Sequence, residues 1–225
     1  MRYGAVSYLN SRPLVEGLAP LVLDTPSGLV ERYRRGEVDV ALLPVAAAEP
    51  LGLERVGRLG ITSAGPVDSV LLFMARPIGQ VRSVRLDPES RTSQVLALLL
   101  LRQAFGLDPR IAEPADAELV IGDKALVRAQ GGEERIDLAL EWRRHTGLPF
   151  VFAAWYGAAE SEPALERALE RGRERIAHYA ATSGLPLPAP LLERYLRERI
   201  GYRIGVAEEA GLARFLETGR RLGLL

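Results

Sequence analysis

The chain has 225 residues, 48% of them apolar and 26% charged, and its 29 basic and 29 acidic side chains cancel to a formal net charge of zero. That balance removes a general electrostatic case for nucleic acid or an anionic membrane, and the 6% of aromatic residues offers little surface for base stacking. Cysteine is absent, which excludes disulfides, thiolate metal sites and a lipid-modified cysteine; with no apolar run of membrane-spanning length and no basic-then-apolar leader, a cytoplasmic location without a membrane partner is expected.

Tyr3 to Val6 reads as a short apolar strand. It breaks into Ser7-Tyr8-Leu9-Asn10-Ser11-Arg12, and Pro13 follows where a helix would begin, its fixed φ and missing N–H both suiting a first turn. The stretch predicts strand, loop, helix. In open α/β sheets the loop at the carboxyl end of a strand is where ligands bind, so Asn10, Ser11 and Arg12 fall at a site mouth; a simple helix cap would also account for Asn10 or Ser11. Leu21 to Asp24 is a second strand. Thr25 or Ser27 caps a helix running to about Arg35, with Gly36 as its stop. Val38 to Leu43 is a continuous apolar strand of the kind buried on both faces, ended by Pro44, and Val45 to Glu49 is a short helical turn. Ile61 to Ser69 is a second polar break that feeds a strand from Val70 to Met74, and Arg76-Pro77-Ile78-Gly79 marks a crossover to a second lobe.

A second strand–helix series follows. Val84 to Leu86 is a strand, Asp87 to Ser93 a polar turn, and Gln94 to Phe105 a helix apolar on nearly all sides, hence buried. Leu119 to Ile121 and Asp137 to Leu140 are strands, Glu141 to Thr146 is helical, and Phe150 to Ala154 is the return crossover. From Pro163 the chain is helical, with a charged face over Glu166 to Arg175, a proline-rich loop at Leu185 to Pro190, and helices over Leu191 to Arg199 and Ala207 to Leu222. Alternating strands and helices argue for an α/β fold, with residues 1–76 plus 157–225 as one lobe and 77–156 as the other. Two lobes joined by two crossings form a hinged cleft whose closure excludes water.

The two histidines, His145 and His178, have no carboxylate, hydroxyl or second histidine at a catalytic or metal-binding spacing. No HExxH, Walker loop or GxGxxG occurs, so neither a metal nor a cofactor is expected. What remains is hydroxyls, amides and arginine at strand ends. Ser90-Arg91-Thr92-Ser93 opens a predicted helix, where free N–H groups and the helix dipole favour an anion; a well-capped helix would need one such residue. Ser63, Gly65 and Ser69 lie on the opposing crossover, and Gly65 permits close approach of backbone to a ligand, although a plain turn explains it equally. Composition and spacing thus yield a cleft for a small anionic organic molecule, and no reaction.

Ser7-Tyr8-Leu9-Asn10 with Pro13-Leu14, Asp39-Val40-Ala41-Leu42-Leu43-Pro44, Gly65-Pro66-Val67 with Ser69-Val70, Ser90-Arg91-Thr92-Ser93, Ile121-Gly122-Asp123, and Glu141-Trp142 with Thr146 to Ala153 and Trp155 together resemble the chorismate dehydratase family of the futalosine route to menaquinone. The resemblance covers residues 7 to 155 in order. It implies a two-lobed periplasmic-binding-protein-like fold (type II, two crossovers) with C-terminal helices, and loss of water from chorismate to give 3-[(1-carboxyvinyl)oxy]benzoate. It implies Asn10 and Ser69 at the reacting ring, with Ser69 bonding the reacting groups and Asn10 orienting the leaving hydroxyl. Ser90, Arg91, Thr92 and Ser93 would bind a carboxylate, with Ser11 and Gly65 also at the substrate. The substrate's own side-chain carboxylate would take the proton. Val45 to Glu49 departs from the family in lacking a serine after Pro44. Two alternatives stand beside this: the sister dihydroxynaphthoate synthase, which uses a cleft histidine, and a non-catalytic carboxylate-binding protein, which would carry an export signal for which a strand starting at Arg2 leaves no room.

Overall fold

The computed structural model describes all 225 residues. Strand β1 (Tyr3–Val6) is wholly buried. The chain leaves it through an extended Tyr8 into a 3₁₀ turn, Leu9–Leu14, in place of the helix expected from Pro13. The turn begins earlier because Ser11 folds its hydroxyl back onto the backbone, donating to the carbonyls of Val6 and Tyr8. β2 (Leu21–Asp24) leads to α1 (Pro26–Arg34), where Thr25 accepts from the Gly28 N–H at 3.1 Å, as a cap does. β3 (Val40–Pro44) is buried throughout and runs into the short α2 (Val45–Ala48). β4 (Arg55–Ser63) and β5 (Val70–Met74) follow.

The second series comprises β6 (Ser83–Arg85), α3 (Arg91–Gln103), β7 (Arg110–Ile111), β8 (Ala117–Ile121), α4 (Asp123–Arg128), β9 (Arg135–Asp137), α5 (Leu138–Thr146) and β10 (Phe150–Gly157). The strand expected over Asp137 to Leu140 is cut short because the Asp137 carboxylate accepts from the N–H groups of Ala139 and Leu140, each at 3.0 Å, and so starts α5. The C-terminal part holds α6 (Glu162–Glu174), α7 (Ile176–Ala181), α8 (Ala189–Arg194), a π-helical turn over Tyr195–Arg199, β11 (Gly201–Arg203) and α9 (Val206–Arg221).

Two sheets result. The first has the order β11-β4-β10-β3-β1-β2, the second β7-β6-β8-β5-β9. In the first, β1 runs parallel to β2 and β3 while β10 lies antiparallel between β3 and β4. In the second, β5 is antiparallel to both β8 and β9. This corrects the expected domain limits of 76/77 and 156/157: β5 belongs to the second lobe and β10 to the first, so the crossings fall at 64–69 and 147–149. Both are buried apolar strands, legible as strands, but their sheet is chosen by partners distant in sequence. β4 escaped the sequence pattern because glycines interrupt it. A Cβ on Gly60 would lie 2.2 Å from the Ala153 carbonyl oxygen, so only glycine lets β10 pair there. An apolar core of 60 buried residues runs continuously through both lobes.

Candidate active site

The carboxyl ends of β1 and β3, the start of β5, the first turn of α3 and the end of β8 enclose a cavity of about 50 Å³ between the lobes. Its polar lining is Tyr8, Asn10, Ser69, Ser90 and Ser93, set among Val6, Ile61, Val67, Ile121 and Phe152, and no charged side chain lines it.

Asn10, on the 3₁₀ turn, is 8% exposed, and its Oδ1 has no hydrogen-bond partner. Ser69 is buried immediately before β5 and accepts a hydrogen bond from the hydroxyl of Tyr195 at 2.9 Å. Burial raises the Tyr195 phenol above its ordinary value, and the side chains of Ser69 and Asn10 both weigh on its hydroxyl in the opposite sense. The segment before Ser69 is held by force of contacts. Asp68 has φ +59°, unusual for a residue with a side chain. Its N–H and that of Val67 donate to Asp137 Oδ2 at 2.7 and 2.9 Å, and Arg199 Nε reaches its carboxylate at 2.8 Å. Burial raises the Asp137 carboxyl although backbone N–H groups pull the other way.

Across the cavity, Ser90 caps α3. Its Oγ accepts from the N–H and the hydroxyl of Ser93 at 3.3 and 3.1 Å, which leaves the Ser90 proton free. α3 is 13 residues long, so its first turn carries a developed dipole toward the cavity.

Of the eight residues that the resemblance placed at the site, the structure brings Asn10, Ser69, Ser90 and Ser93 together and leaves four elsewhere. Ser11 closes its own turn. Gly65 sits in a plain turn with Ser63 Oγ on its carbonyl at 3.0 Å. Arg91 turns away to the Leu224 carbonyl at 2.6 Å. Thr92 Oγ1 accepts from the Ala46 N–H at 3.0 Å, tying α3 to α2 across the lobes. In these four the local structural use of the polar group prevails.

The rim was not anticipated as a unit. The Tyr8 hydroxyl donates to Glu89, the Ser27 N–H donates to the Glu89 carbonyl at 2.9 Å, and the Leu9 N–H donates to the Asp123 carboxylate at 3.0 Å. Gly122 has φ +68°, and a Cβ there would stand 2.7 Å from the Tyr8 ring, so this glycine lets the lobes meet. Burial raises the carboxyl of Asp123 and, with Glu89, the phenol of Tyr8. Tyr195 too was missed: within a charged helical run it shows no signature beyond being a lone aromatic. His145 and His178 are exposed on α5 and α7 and line no part of the cavity. A larger hollow of about 870 Å³ lies between β9 and α5 on one side and the end of α8 on the other, lined by opposite charges such as Glu133, Glu134, Arg135 and Arg144 and reaching Tyr195 and Arg199. No three His, Asp or Glu side chains are grouped to hold a metal ion, and no helix is long and apolar enough to cross a membrane.

The cavity can orient the polar groups of a small organic molecule with one free acceptor, Asn10 Oδ1, and two free hydroxyl protons, those of Ser69 and Ser90. It offers no side-chain base for a proton at neutral pH.

Residues 1–221 match a family profile described as menaquinone biosynthesis. A chorismate dehydratase of Thermus thermophilus is 28% identical over 96% of this chain and 92% of its own length. A chorismate dehydratase of Campylobacter jejuni is 27% identical over the whole of both chains. Among solved structures, the periplasmic aliphatic sulphonate binding protein SsuA of Escherichia coli superposes with a TM-score of 0.64 at 18% identity, covering 100% of this chain and 88% of that one. The fold is therefore the two-lobed α/β fold of periplasmic binding proteins.

Proposed function

We infer the reaction from one premise: this chain belongs to the menaquinone biosynthesis family. Like the two relatives, it acts on chorismate, and the reaction is a carbon–oxygen lyase step. A ring C–H bond breaks, its electron pair completes the aromatic ring, and the neighbouring C–O bond breaks to release water and 3-[(1-carboxyvinyl)oxy]benzoate. Aromatisation drives the step, so the protein has chiefly to align the two breaking bonds. The chain-long similarity to two chorismate dehydratases carries this reading; the character of the cavity supports it. A strong side-chain base is not required when the substrate's own side-chain carboxylate takes the ring proton and passes it to the departing hydroxide. Asn10 Oδ1 accepts from the leaving hydroxyl, and Ser69 donates to it as negative charge builds on its oxygen. A ring carboxylate sits at the first turn of α3, on the free hydroxyl proton of Ser90, which Ser93 orients by donating to its oxygen, and on the free N–H groups there.

Pockets for small organic ligands run to roughly 300–1,000 Å³, against about 50 Å³ here. The lobes therefore part to admit substrate and re-form the rim over it. A cytoplasmic setting fits this biosynthetic role. The test is direct: purified protein incubated with chorismate should yield a product lighter by one water, seen by mass spectrometry. Chorismate left intact after prolonged incubation overturns the reading.

A further inference from the structure

Tyr195 is the point at which the C-terminal helices reach the catalytic floor, and it does so from behind. It is buried, it lies outside the cavity lining, and its hydroxyl donates to Ser69 Oγ at 2.9 Å. We propose that Tyr195 is a positioning residue that fixes the direction of the Ser69 hydroxyl, turning its proton toward the departing oxygen of the substrate. The proposal rests on the dehydration reading.

A phenol has a single proton, and here Ser69 accepts it. The Ser69 hydroxyl makes no other hydrogen bond, so its own proton has only the cavity left to serve. The Asn10 side chain also lies within reach of the phenol hydroxyl. If the amide N–H of Asn10 donates to the phenol oxygen, its Oδ1 is left over, and Oδ1 is the atom found without a partner. One chain of donors then runs from Asn10 through Tyr195 to Ser69, and ends as an acceptor and a donor side by side. A leaving hydroxyl, which is itself both donor and acceptor, needs that pair. Hydrogen bonds in such a chain polarise one another, so Ser69 donates more strongly with Tyr195 behind it than alone.

The backbone arranges this deliberately. α8 widens at Tyr195 into a π turn closed by Ile200 N–H on the Tyr195 carbonyl at 3.3 Å, a feature that helices seldom carry and that often marks functional sites. The same turn supplies Arg199 to the strained Asp68 beside Ser69. One helical turn therefore fixes both the backbone before Ser69 and the hydroxyl of Ser69.

The experiment is a double-mutant cycle on the full chain with chorismate as substrate. Tyr195→Phe keeps the ring and removes only the hydroxyl; kcat should fall about tenfold, less than for loss of a direct donor, with KM within twofold of wild type. Added to Ser69→Ala, the same change should cost nothing further, because no hydroxyl remains to be aimed. Tyr202→Phe, which removes a neighbouring buried hydroxyl bonded to the Leu196 carbonyl, should turn over like wild type. Melting curves set an assay temperature at which every variant is folded. A Tyr195→Phe enzyme with normal kcat, a loss confined to KM, or an equal loss in the Ser69→Ala background each overturns the proposal while leaving the dehydration reading intact. Wild-type protein that leaves chorismate unchanged overturns the reaction itself, and the role of Tyr195 with it.

Discussion

On the floor of the cleft, Asn10 keeps its Oδ1 without a partner and Ser69 receives a proton without passing one on. At the rim, a few residues away, each polar group that crosses between the lobes is matched: Leu9 N–H on Asp123, Ser27 N–H and the Tyr8 hydroxyl on Glu89, Ala46 N–H on Thr92. An unsatisfied buried polar atom costs about 1–3 kcal/mol. The fold bears that cost on the floor, where a substrate hydroxyl would remove it, and avoids it at the rim, where nothing is left to offer a ligand. On the proposed reaction, closure and chemistry fall to separate residues, although Tyr8 and Asn10 sit two positions apart on one loop.

The largest effects should come from the floor. Ser69→Ala removes one hydroxyl at nearly constant volume, and Asn10→Ala removes an amide that accepts and donates at once. Each should lower kcat on chorismate by on the order of a hundredfold with little change in KM, measured by steady-state kinetics. A rise in KM with normal kcat would erase the distinction between floor and rim. The next effect belongs to the first turn of α3. A hydrogen bond to a charged group is worth about 1.5–3 kcal/mol, so Ser90→Ala, which removes the hydroxyl whose proton is free, should weaken calorimetric binding of the benzoate product roughly tenfold. Arg91→Ala, whose side chain serves the Leu224 carbonyl, should leave that affinity unchanged; the reverse ranking would move the carboxylate away from Ser90.

The legibility of the site follows from where each signal is stored. Asn10 and Ser69 stand beside strand ends, which period and punctuation mark in any α/β sequence, but it was the resemblance to a family, and not the pattern alone, that singled them out from their neighbours. Arg91, Thr92, Ser11 and Gly65 carry the same residue types in the same stretches, and only three dimensions separate a hydroxyl that faces the cavity from one that ties α2 to α3. Tyr195 was invisible because its partner is 126 residues away and its own helix is patterned by surface charge. The lobe limits failed for a related reason: β5 and β10 are equally apolar, and which sheet each joins depends on pairings with β8, β9, β3 and β4 that no local pattern encodes.

A smaller effect should mark the rim. Tyr8→Phe removes the donor to Glu89 and keeps the ring that packs on Gly122. The acceptor is a carboxylate, but a part-exposed one, so solvent screening holds the bond to about 0.5–1.5 kcal/mol net, and the closed form should lose a few-fold in population. KM for chorismate should rise by that few-fold while kcat stays near wild type, since the floor is untouched. A fall in kcat instead would show that Tyr8 belongs with Asn10 and Ser69.

Asp123 tests the rim by charge alone, and its effect should be the smallest. Burial lifts its carboxyl above the ordinary 3.8, against the opposing pull of the Leu9 N–H and of Arg12. A carboxyl with a raised folded-state pKa holds its proton more tightly folded than unfolded, so ionisation penalises the folded chain above that pKa, and the penalty fades as the pH falls toward the unfolded value. Asp123→Asn abolishes the ionisation and keeps one oxygen to accept from Leu9. The variant should therefore melt slightly higher than wild type near neutral pH, and the gap should close as the pH is lowered toward 3.8, where the wild-type carboxyl is protonated as well. Scanning calorimetry over that pH range reads both quantities. A gap of constant size would mean that burial of the charge costs nothing. A variant that melts lower at neutral pH and recovers nothing in acid would mean that the bond from Leu9 to a full carboxylate outweighs burial, and the rim would then be a charged latch.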